Sequence, residues 1–404
     1  MKKLNESLSL KIIAGLILGV VAGQALGSGA SSLGEIGKMV IQLIKIFATP
    51  LLFFSIVNSV ISTDIKWTRG VRMLGVCVIN GTLALVIGLS VTHFFRPGEA
   101  LSVQALSAGL DRPAPALPTL KESKIEFIKW VTGLVPSNLL QPFSENLILT
   151  IIALAVLLGL AIRKLRTSGA EEARTLESLF SGGLKLSELI LGWIVQLIPF
   201  AVFGVVAKTV GEFGFAPFKG LGIYVCVGLL GLFLHVVLVY HVWILFYCGQ
   251  KFRDFWKHAR EPVIYAMGTN SSLATLPLTL KALDDLKVSK QASTLGACVG
   301  TNFNNDGIIL YEAMAALLVA QSQGLHLDVG QQVTMALTCL VAAMGVTGVP
   351  EAGFISLAVV LGTVGLPLDL LPLLLTVDWI IARARSMTNV LGDMTVSLVL
   401  DRKR

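Results

Sequence analysis

The sequence predicts an all-helical membrane protein, and three features lead to this fold class. Of the 404 residues, 54% are hydrophobic and only 14% are charged, whereas soluble domains carry about 25% charged residues. The mean hydropathy is +0.78, and the apolar stretches lack the period-two alternation of strands. Four stretches without Asp, Glu, Lys or Arg are long enough to cross about 30 Å of hydrocarbon: Ile12–Gly34, Met73–Phe95, Leu189–Ala207 and Gly220–Gln250.

The charge balance and the cysteines argue against other classes of protein. With 32 Lys and Arg against 25 Asp and Glu, the net charge of +7 fits neither a nucleic-acid-binding tail nor a disordered chain. The five cysteines are odd in number and lack metal-ligand spacing, which argues against disulfide and metal frameworks. No glycine-rich phosphate-binding loop is present, so a nucleotide-driven pump and a cofactor are not expected.

Apolar segments predict the transmembrane helices. The first is expected to remain as helix 1, because no cleavable signal peptide is evident. Residues 96–124 hold four prolines and mixed charges, which predicts an exposed loop. The predicted spanning segments are 10–28, 38–62, 72–95, 126–163 (broken by prolines), 176–208, 218–249, 291–321 and 368–399.

Basic residues predict the orientation of these helices. Clusters of Lys and Arg precede the first segment, follow the second, fourth and sixth, and end the chain. All five clusters lie on one side if both termini are cytoplasmic, as the positive-inside rule requires. We therefore expect a multipass protein of the inner (plasma) membrane with cytoplasmic termini.

Two further segments, 258–287 and 331–366, hold helix-breaking residues at their centres. These breaks run from Gly268 to Pro277 and from Gly345 to Gly353. A lipid-facing helix cannot hold them, because the freed backbone groups would lack hydrogen-bond partners. Each segment is therefore predicted to be a re-entrant hairpin. Since each precedes a helix with an Asn and an Asp, the pattern predicts an inverted-repeat transporter.

Ionisable side chains in apolar segments mark candidate functional positions, because they are costly to bury in a membrane. Asp306 and Glu312 lie in the seventh segment, whereas His235 is interpreted as a residue at a helix end. The guanidinium of Arg385 requires an anion and suits a carboxylate. In the last segment, five positions share one helical face: Asp378, Ala382, Arg385, Asn389 and Asp393.

Oxygen-bearing side chains predict a site for a small cation. Carbonyl groups of an unwound stretch at 301–306 could complete its ligand shell. Ser271 and Ser272 lack a neighbouring base, so a hydrolase is disfavoured. The predicted oxygen ligands are Asn304, Asp306, Asn389 and Asp393.

The motifs together resemble the dicarboxylate/amino acid:cation symporter family, which includes the glutamate transporters, from Lys11 to Val399. That resemblance implies a homotrimer with eight transmembrane helices and two re-entrant hairpins, whose transport domain moves past a scaffold like an elevator. The matching motifs are Ser271-Ser272 with Thr275-Leu276-Pro277, Asn304-Asn305-Asp306-Gly307, Gly348-Val349-Pro350, and Val377-Asp378-Trp379 leading to Arg385, Asn389 and Gly392-Asp393.

The resemblance also implies a division into domains. Residues 1–72 and 126–217 are expected to form the scaffold, with helices 1, 2, 4 and 5. Residues 73–125 supply helix 3 and the loop of the transport domain. Residues 218–404 supply its remainder: helix 6, hairpin 1, helix 7, hairpin 2 and helix 8.

Site residues follow from the resemblance as well. Arg385 is expected to bind a substrate carboxylate, and sodium is expected at Asp306, Asn304, Asn389 and Asp393. Residues with an implied role at the substrate are Ser271, Ser272, Val349, Gly353, Ala382, Arg385, Ser386 and Asn389. Those implied around the cations are Asn80, Asn302, Asn304, Asn305, Asp306, Asn389 and Asp393.

Several positions depart from the family's usual pattern. Ala382 stands where amino-acid transporters have an aspartate that binds the substrate amine. Asn80-Gly81 replaces a Thr-Ser pair that supports a sodium site. Val346 replaces a threonine of the second hairpin, which the resemblance implies is the gate. Asn302 and Asn305 replace a threonine and a methionine. We expect fewer coupled sodium ions than in glutamate transporters.

Two residues resemble the proton-coupled branch of the family. Glu312 follows a tyrosine after the Asn/Asp motif, and Arg383 lies two residues before the substrate arginine. The resemblance suggests that the two side chains pair, and both are candidates for proton coupling.

The leading prediction is a secondary symporter for a small dicarboxylate, driven by sodium and/or proton gradients. One alternative is a symporter for acidic or neutral amino acids, in which Glu351 supplies the missing carboxylate. Another is a transporter that acts mainly as an anion conductance. The expected partners are a small anionic substrate, sodium or protons, membrane lipid and two further copies of the chain, with no nucleic acid.

Overall fold

The computed structural model describes residues 2–62, 67–101, 136–144, 147–325, 327–345, 352–368 and 370–402, and no strand occurs among them. The described part is built from thirteen α-helices of more than one turn. They are α1 Lys2–Leu26, α2 Gly34–Ser62, α3 Trp67–Phe95, α4 Ile148–Thr167, α5 Glu172–Val195, α6 Ile198–Phe213, α7 Ala216–His235, α8 Phe252–Thr269, α9 Ser272–Asp285, α10 Asp306–Ser322, α11 Val329–Ala342, α12 Ala352–Val364 and α13 Leu371–Asp401.

Shorter helical turns connect or extend these helices. One-turn α-helices lie at Gln141–Ser144 and Lys290–Ser293. The 3₁₀ turns are Gly27–Leu33, Pro97–Leu101, Gly300–Asn302 and Ala343–Gly345. The π-helical segments are Val236–Tyr240, Val242–Tyr247 and Thr294–Val299.

Four helical stretches in the described part are long and apolar enough to span a bilayer: Leu10–Asn58, Arg69–Phe95, Glu172–Val195 and Ala216–Tyr247. The all-helical class predicted from the sequence is therefore confirmed. Among the described residues, the predicted span 176–208 differs, because it is two helices that separate between Val195 and Ile198. Pro199 lies in the first turn of the second helix, where its missing N–H costs no hydrogen bond. Most of the predicted loop, residues 102–124, and the first part of the predicted span 126–163, residues 126–135, lie outside the described residues.

Close helix packing groups α1 with α6 and places α2 against α4, α5 and α6. Glycines permit the approach of α1 to α6: a Cβ at Gly19 would lie 2.7 Å from the Phe203 carbonyl oxygen, and one at Gly23 2.6 Å from that of Ala207. Such small residues at four-residue spacing let two helix backbones approach closely. A second group forms where α3 and α7 pack against α10 and α13.

The candidate site lies in this second group. The two predicted hairpins correspond to α8 with α9 and α11 with α12, and the helices of each pair pack against one another. The last helix, α13, contacts α8, α9, α10 and α12. Polar residues of both hairpins therefore come together along it.

Candidate functional site

The tip of the first hairpin is a two-residue reversal between α8 and α9. Asn270 adopts a left-handed conformation with φ of 51°, which asparagine tolerates better than most residues. Ser271 caps α9, because its hydroxyl accepts a hydrogen bond from the Ala274 N–H at 3.1 Å. The Ser386 hydroxyl donates to the Asn270 side chain at 3.0 Å. The tip is thus tied to α13, with Ser272 half-buried beside it.

Arg385 lies buried at the centre of α13 in a charge-neutral pair. Its two terminal nitrogens donate to the two carboxylate oxygens of Asp378, each at 3.0 Å. Two helical turns separate these residues, so they share one face. The guanidinium carbon also lies 3.9 Å from the ring centroid of Tyr311. An Arg presents five N–H donors, and the carboxylate of Asp378 engages a planar pair of them.

The second hairpin lies directly on this guanidinium. A Cβ added to Gly353 would lie 2.9 Å from the guanidinium carbon and 2.9 Å from one of its nitrogens. Ala382, also buried, lies one turn before Arg385 on the same face. Val349, like Val346 and Glu351, lies outside the described residues. The described part of the gate therefore meets the predicted substrate arginine through a glycine backbone.

We predict that Gly353→Ala weakens substrate binding by about tenfold while the protein still folds. The added methyl group must displace the guanidinium, and a displacement of about 1 Å at a binding group has effects of this size or larger. Gly362→Ala is the matched control, since Gly362 is exposed on the same helix. Substrate titrations followed by thermal shift measure both affinities. Equal affinities for the two variants would contradict the contact between Gly353 and Arg385.

A break in the helix before α10 exposes the backbone next to α13. The 3₁₀ turn ends at Asn302, which is half-buried, and helix resumes only at Asp306. Asn389 spans the break: its side-chain oxygen accepts from the Gly307 N–H at 2.9 Å and its nitrogen donates to Asn305 at 3.3 Å. Asn305 in turn donates to the Ala343 carbonyl at 2.8 Å. These amides connect α13, the unwound stretch and the second hairpin.

Two buried carboxylates lie beside the unwound stretch. Asp306 and Asp393 are near enough to repel one another, and the Thr301 side chain lies beside Asp393. One oxygen of each carboxylate, Oδ1, has no hydrogen-bond partner among the described residues. Asn80 donates to the Asn304 oxygen at 3.4 Å. Buried oxygens that lack donors favour a hard cation, and this donor set has that chemistry.

Glu312 and Arg383 do not form the expected pair. Glu312 is fully buried and accepts a hydrogen bond from the Ser356 hydroxyl of α12. Arg383 instead donates to the Trp379 carbonyl at 2.7 Å. Two residues span about 200° around an α-helix, so Arg383 points away from the face on which Arg385 meets α10 and α12. The suggested pairing was wrong in this geometry.

His235 is a site residue that the sequence interpretation missed. It does not reach the protein surface: it is 0% exposed, and its Nε2 lies 3.4 Å from Oδ2 of Asp306. The Tyr240 hydroxyl donates to the same oxygen at 2.7 Å. The sequence did hold a signal for this residue, because an ionisable side chain within an apolar segment is costly and is therefore a candidate functional residue. The interpretation of His235 as a helix-end residue was wrong, since it lies inside the predicted span 218–249 and the helical run continues to Tyr247.

Comparison with known proteins identifies the family. The model of the sodium:dicarboxylate symporter family matches residues 8–403. The chain belongs to this family. A protein of Anaeromyxobacter sp. (strain K) named C4-dicarboxylate transport protein is 31% identical, with 100% of this chain and 91% of the relative covered. Proteins of the same name from Laribacter hongkongensis and Deinococcus radiodurans are each 30% identical, covering 99% and 100% of this chain and 90% of each relative.

The family resemblance predicted from the motifs is thereby confirmed. Family and relatives together indicate an integral membrane transporter and not an enzyme. The site residues fit a transporter, because the polar groups converge on a helix break and two hairpins within apolar surroundings.

Proposed function

We propose that this protein is a secondary active symporter that moves a small dicarboxylate across the membrane together with cations. The observation that carries this proposal is the buried Arg385 guanidinium beneath Gly353, one turn from Ala382 and in the same helix as Asp393. The substrate anion site at Arg385 and the cation site at Asp393 would then lie on the same helix, α13. The names of the relatives support a C4-dicarboxylate as substrate.

The substrate preference follows from charge. An ammonium group that enters a dry site needs a counter-charge, because an unpaired buried ion costs several kcal/mol. Ala382 offers none, whereas the Arg385 guanidinium is a buried positive charge on the same helical face. A dicarboxylate carries a second carboxylate in place of the ammonium group, so it needs no anionic partner in the site. The site therefore favours a dicarboxylate over aspartate.

The cation would be held by Asp393 and Asn304, with Asn389 and the carbonyl groups of the unwound stretch nearby. Asp393 Oδ1 lacks a donor among the described residues, and carboxylate and carbonyl oxygens are the ligands that hard cations prefer. A bound sodium ion supplies positive charge that offsets the two carboxylates. Fewer than three sodium ions per substrate are expected, since neither Asn80 nor Gly81 provides a hydroxyl.

The two packing groups support an elevator mechanism. The α1, α2, α4, α5 and α6 group corresponds to the proposed scaffold, and α3, α7 and the hairpins with α10 and α13 to the proposed transport domain. We further propose a homotrimer in the inner membrane with both termini in the cytoplasm, by analogy with the family and from the basic clusters.

Reconstitution into liposomes tests this function. Saturable, electrogenic uptake of labelled succinate that requires an inward sodium or proton gradient is the expected result. Reversal potentials then give the ion stoichiometry. A substrate-independent anion current without saturable uptake would instead favour the anion-conductance alternative, and three sodium ions per substrate would contradict the cation assignment.

We predict that Glu312→Gln flattens the pH dependence of transport. Glu312 lies between α10 and the second hairpin, where the charged form is costly to bury, so its proton state can be linked to gate position. Uptake rates between pH 5 and 9 measure the profile. Ser356→Ala is the control, because it removes the hydrogen bond and keeps the carboxyl group. A wild-type profile in the glutamine variant would remove Glu312 from the proton pathway.

A further inference from the structure

The end of α7 and its π-helical extension bring three hydrogen-bond donors to Asp306 and Asn80, two of the predicted cation ligands. His235 and Tyr240 both reach Oδ2 of Asp306, and the Trp243 ring nitrogen donates to the Asn80 oxygen at 2.9 Å. In a regular α-helix, residues five apart lie about 140° apart around the axis. The wider turn of Val236–Tyr240 brings His235 and Tyr240 to one face, and π-turns are frequent at functional sites.

The chemistry of each contact fixes the direction of the hydrogen bond. A carboxylate and an amide oxygen only accept, so the His235 Nε2, the Tyr240 hydroxyl and the Trp243 ring nitrogen are the donors. Two of the oxygens that a cation could use, Asp306 Oδ2 and the Asn80 oxygen, are therefore engaged by protein hydrogens. His235 itself is fixed by a T-shaped contact with the Tyr240 ring at 4.7 Å between centroids.

The other oxygen of Asp306, Oδ1, faces Gly81, which has no side chain that could serve as a second cation ligand. A Cβ at Gly81 would lie 3.8 Å from Oδ1, so this glycine stands where a side-chain hydroxyl would be needed as a second ligand. Oδ1 of Asp393 is also donor-free, but the Thr301 side chain, which carries a hydroxyl, lies beside Asp393. The two carboxylates are thus unequal as cation ligands.

We propose that His235 and Tyr240 take the place of a cation at Asp306, so that the coupled sodium ion binds at Asp393 and not at Asp306. This inference rests on the proposed cation coupling. His235 is then a specificity-determining residue: its N–H satisfies a carboxylate oxygen that would otherwise select a metal ion. Hydrogen bonds to a charged group are among the stronger ones in proteins, so a cation at Asp306 is left with Oδ1 alone, where Gly81 offers no second ligand.

His235→Phe removes the donor and retains an aromatic ring of similar size, while His235→Gln retains a side-chain N–H as the matched control. The melting temperature of each purified protein is followed against sodium concentration, with choline replacing sodium to hold ionic strength constant. A ligand that binds only the folded state raises stability with its concentration. We expect the shift per tenfold sodium to be about twofold larger in the phenylalanine variant than in wild type and the glutamine variant.

A monodisperse phenylalanine variant with the wild-type sodium dependence would overturn the inference and leave the transport function intact. A two-ion dependence already in wild type would overturn it in the same way. If wild type shows no sodium dependence and only the phenylalanine variant gains one, the role of His235 at Asp306 is supported, but the assignment of the coupled sodium ion to Asp393 is overturned. If His235→Phe does not fold, Tyr240→Phe, which removes a single oxygen, takes its place. Its melting temperature is compared with that of wild type over the same range of sodium concentrations.

Discussion

Arg385→Ala is expected to abolish saturable dicarboxylate binding. The side chain is the buried cation that faces the gate glycine, and loss of one partner from a buried ion pair costs about 3–5 kcal/mol. That cost corresponds to a loss of affinity of about a hundredfold to a few thousandfold. Thermal-shift titration with succinate, together with uptake in liposomes, measures the loss. Near wild-type affinity in this variant would exclude Arg385 as the substrate arginine.

The same substitution leaves Asp378 without its partner, so its folding requires a control. The double variant Arg385→Met with Asp378→Asn removes both charges, and replacing a buried pair by neutral groups is often tolerated. We expect the double variant to assemble with near wild-type stability and to remain unable to bind succinate. Binding by the double variant would show that neither charge recognises the substrate.

Ala382→Asp is expected to shift the preference toward amino acids by tenfold or more in the ratio of aspartate to succinate affinity. The new carboxylate would lie one turn from Arg385 in the buried site and could pair with an ammonium group. It would also repel a second substrate carboxylate. Ala382→Asn is the control, since it has the same shape without the charge. The ratio is measured by competition against labelled succinate.

An unchanged ratio in Ala382→Asp would place the substrate amine elsewhere. In that event Glu351→Gln becomes the informative variant, because position 351 lies in the gate segment beside Gly353 in sequence. A loss of aspartate binding in that variant would support the amino-acid alternative.

Much of the architecture follows from sequence because the membrane restricts the choices. Apolar length fixes which segments are helices, and Gly/Pro breaks mark hairpins and the unwound stretch. The reversal at Asn270 and the resumption of helix at Asp306 lie where these breaks predict. The shared face of α13 follows from spacing alone, and its five positions, four of them polar, are all buried.

Side-chain pairing was less predictable, because it depends on the rotation of each helix and on local irregularities. The position of Arg383 shows the first effect: two residues from Arg385, it points to another face and bonds to Trp379. His235 shows the second, since a π-turn that periodicity does not reveal brings it to Asp306 together with Tyr240. The break between α5 and α6 likewise depends on local backbone geometry near Pro199.

The most direct test of the central claim is a competition assay on the wild-type protein. Labelled succinate bound to the purified transporter is displaced by unlabelled succinate or by aspartate at matched pH and sodium concentration. The absence of a carboxylate at Ala382 predicts that succinate displaces the label at a concentration at least tenfold lower than aspartate does. Stronger displacement by aspartate would contradict the account, because it would require a buried partner for the ammonium group.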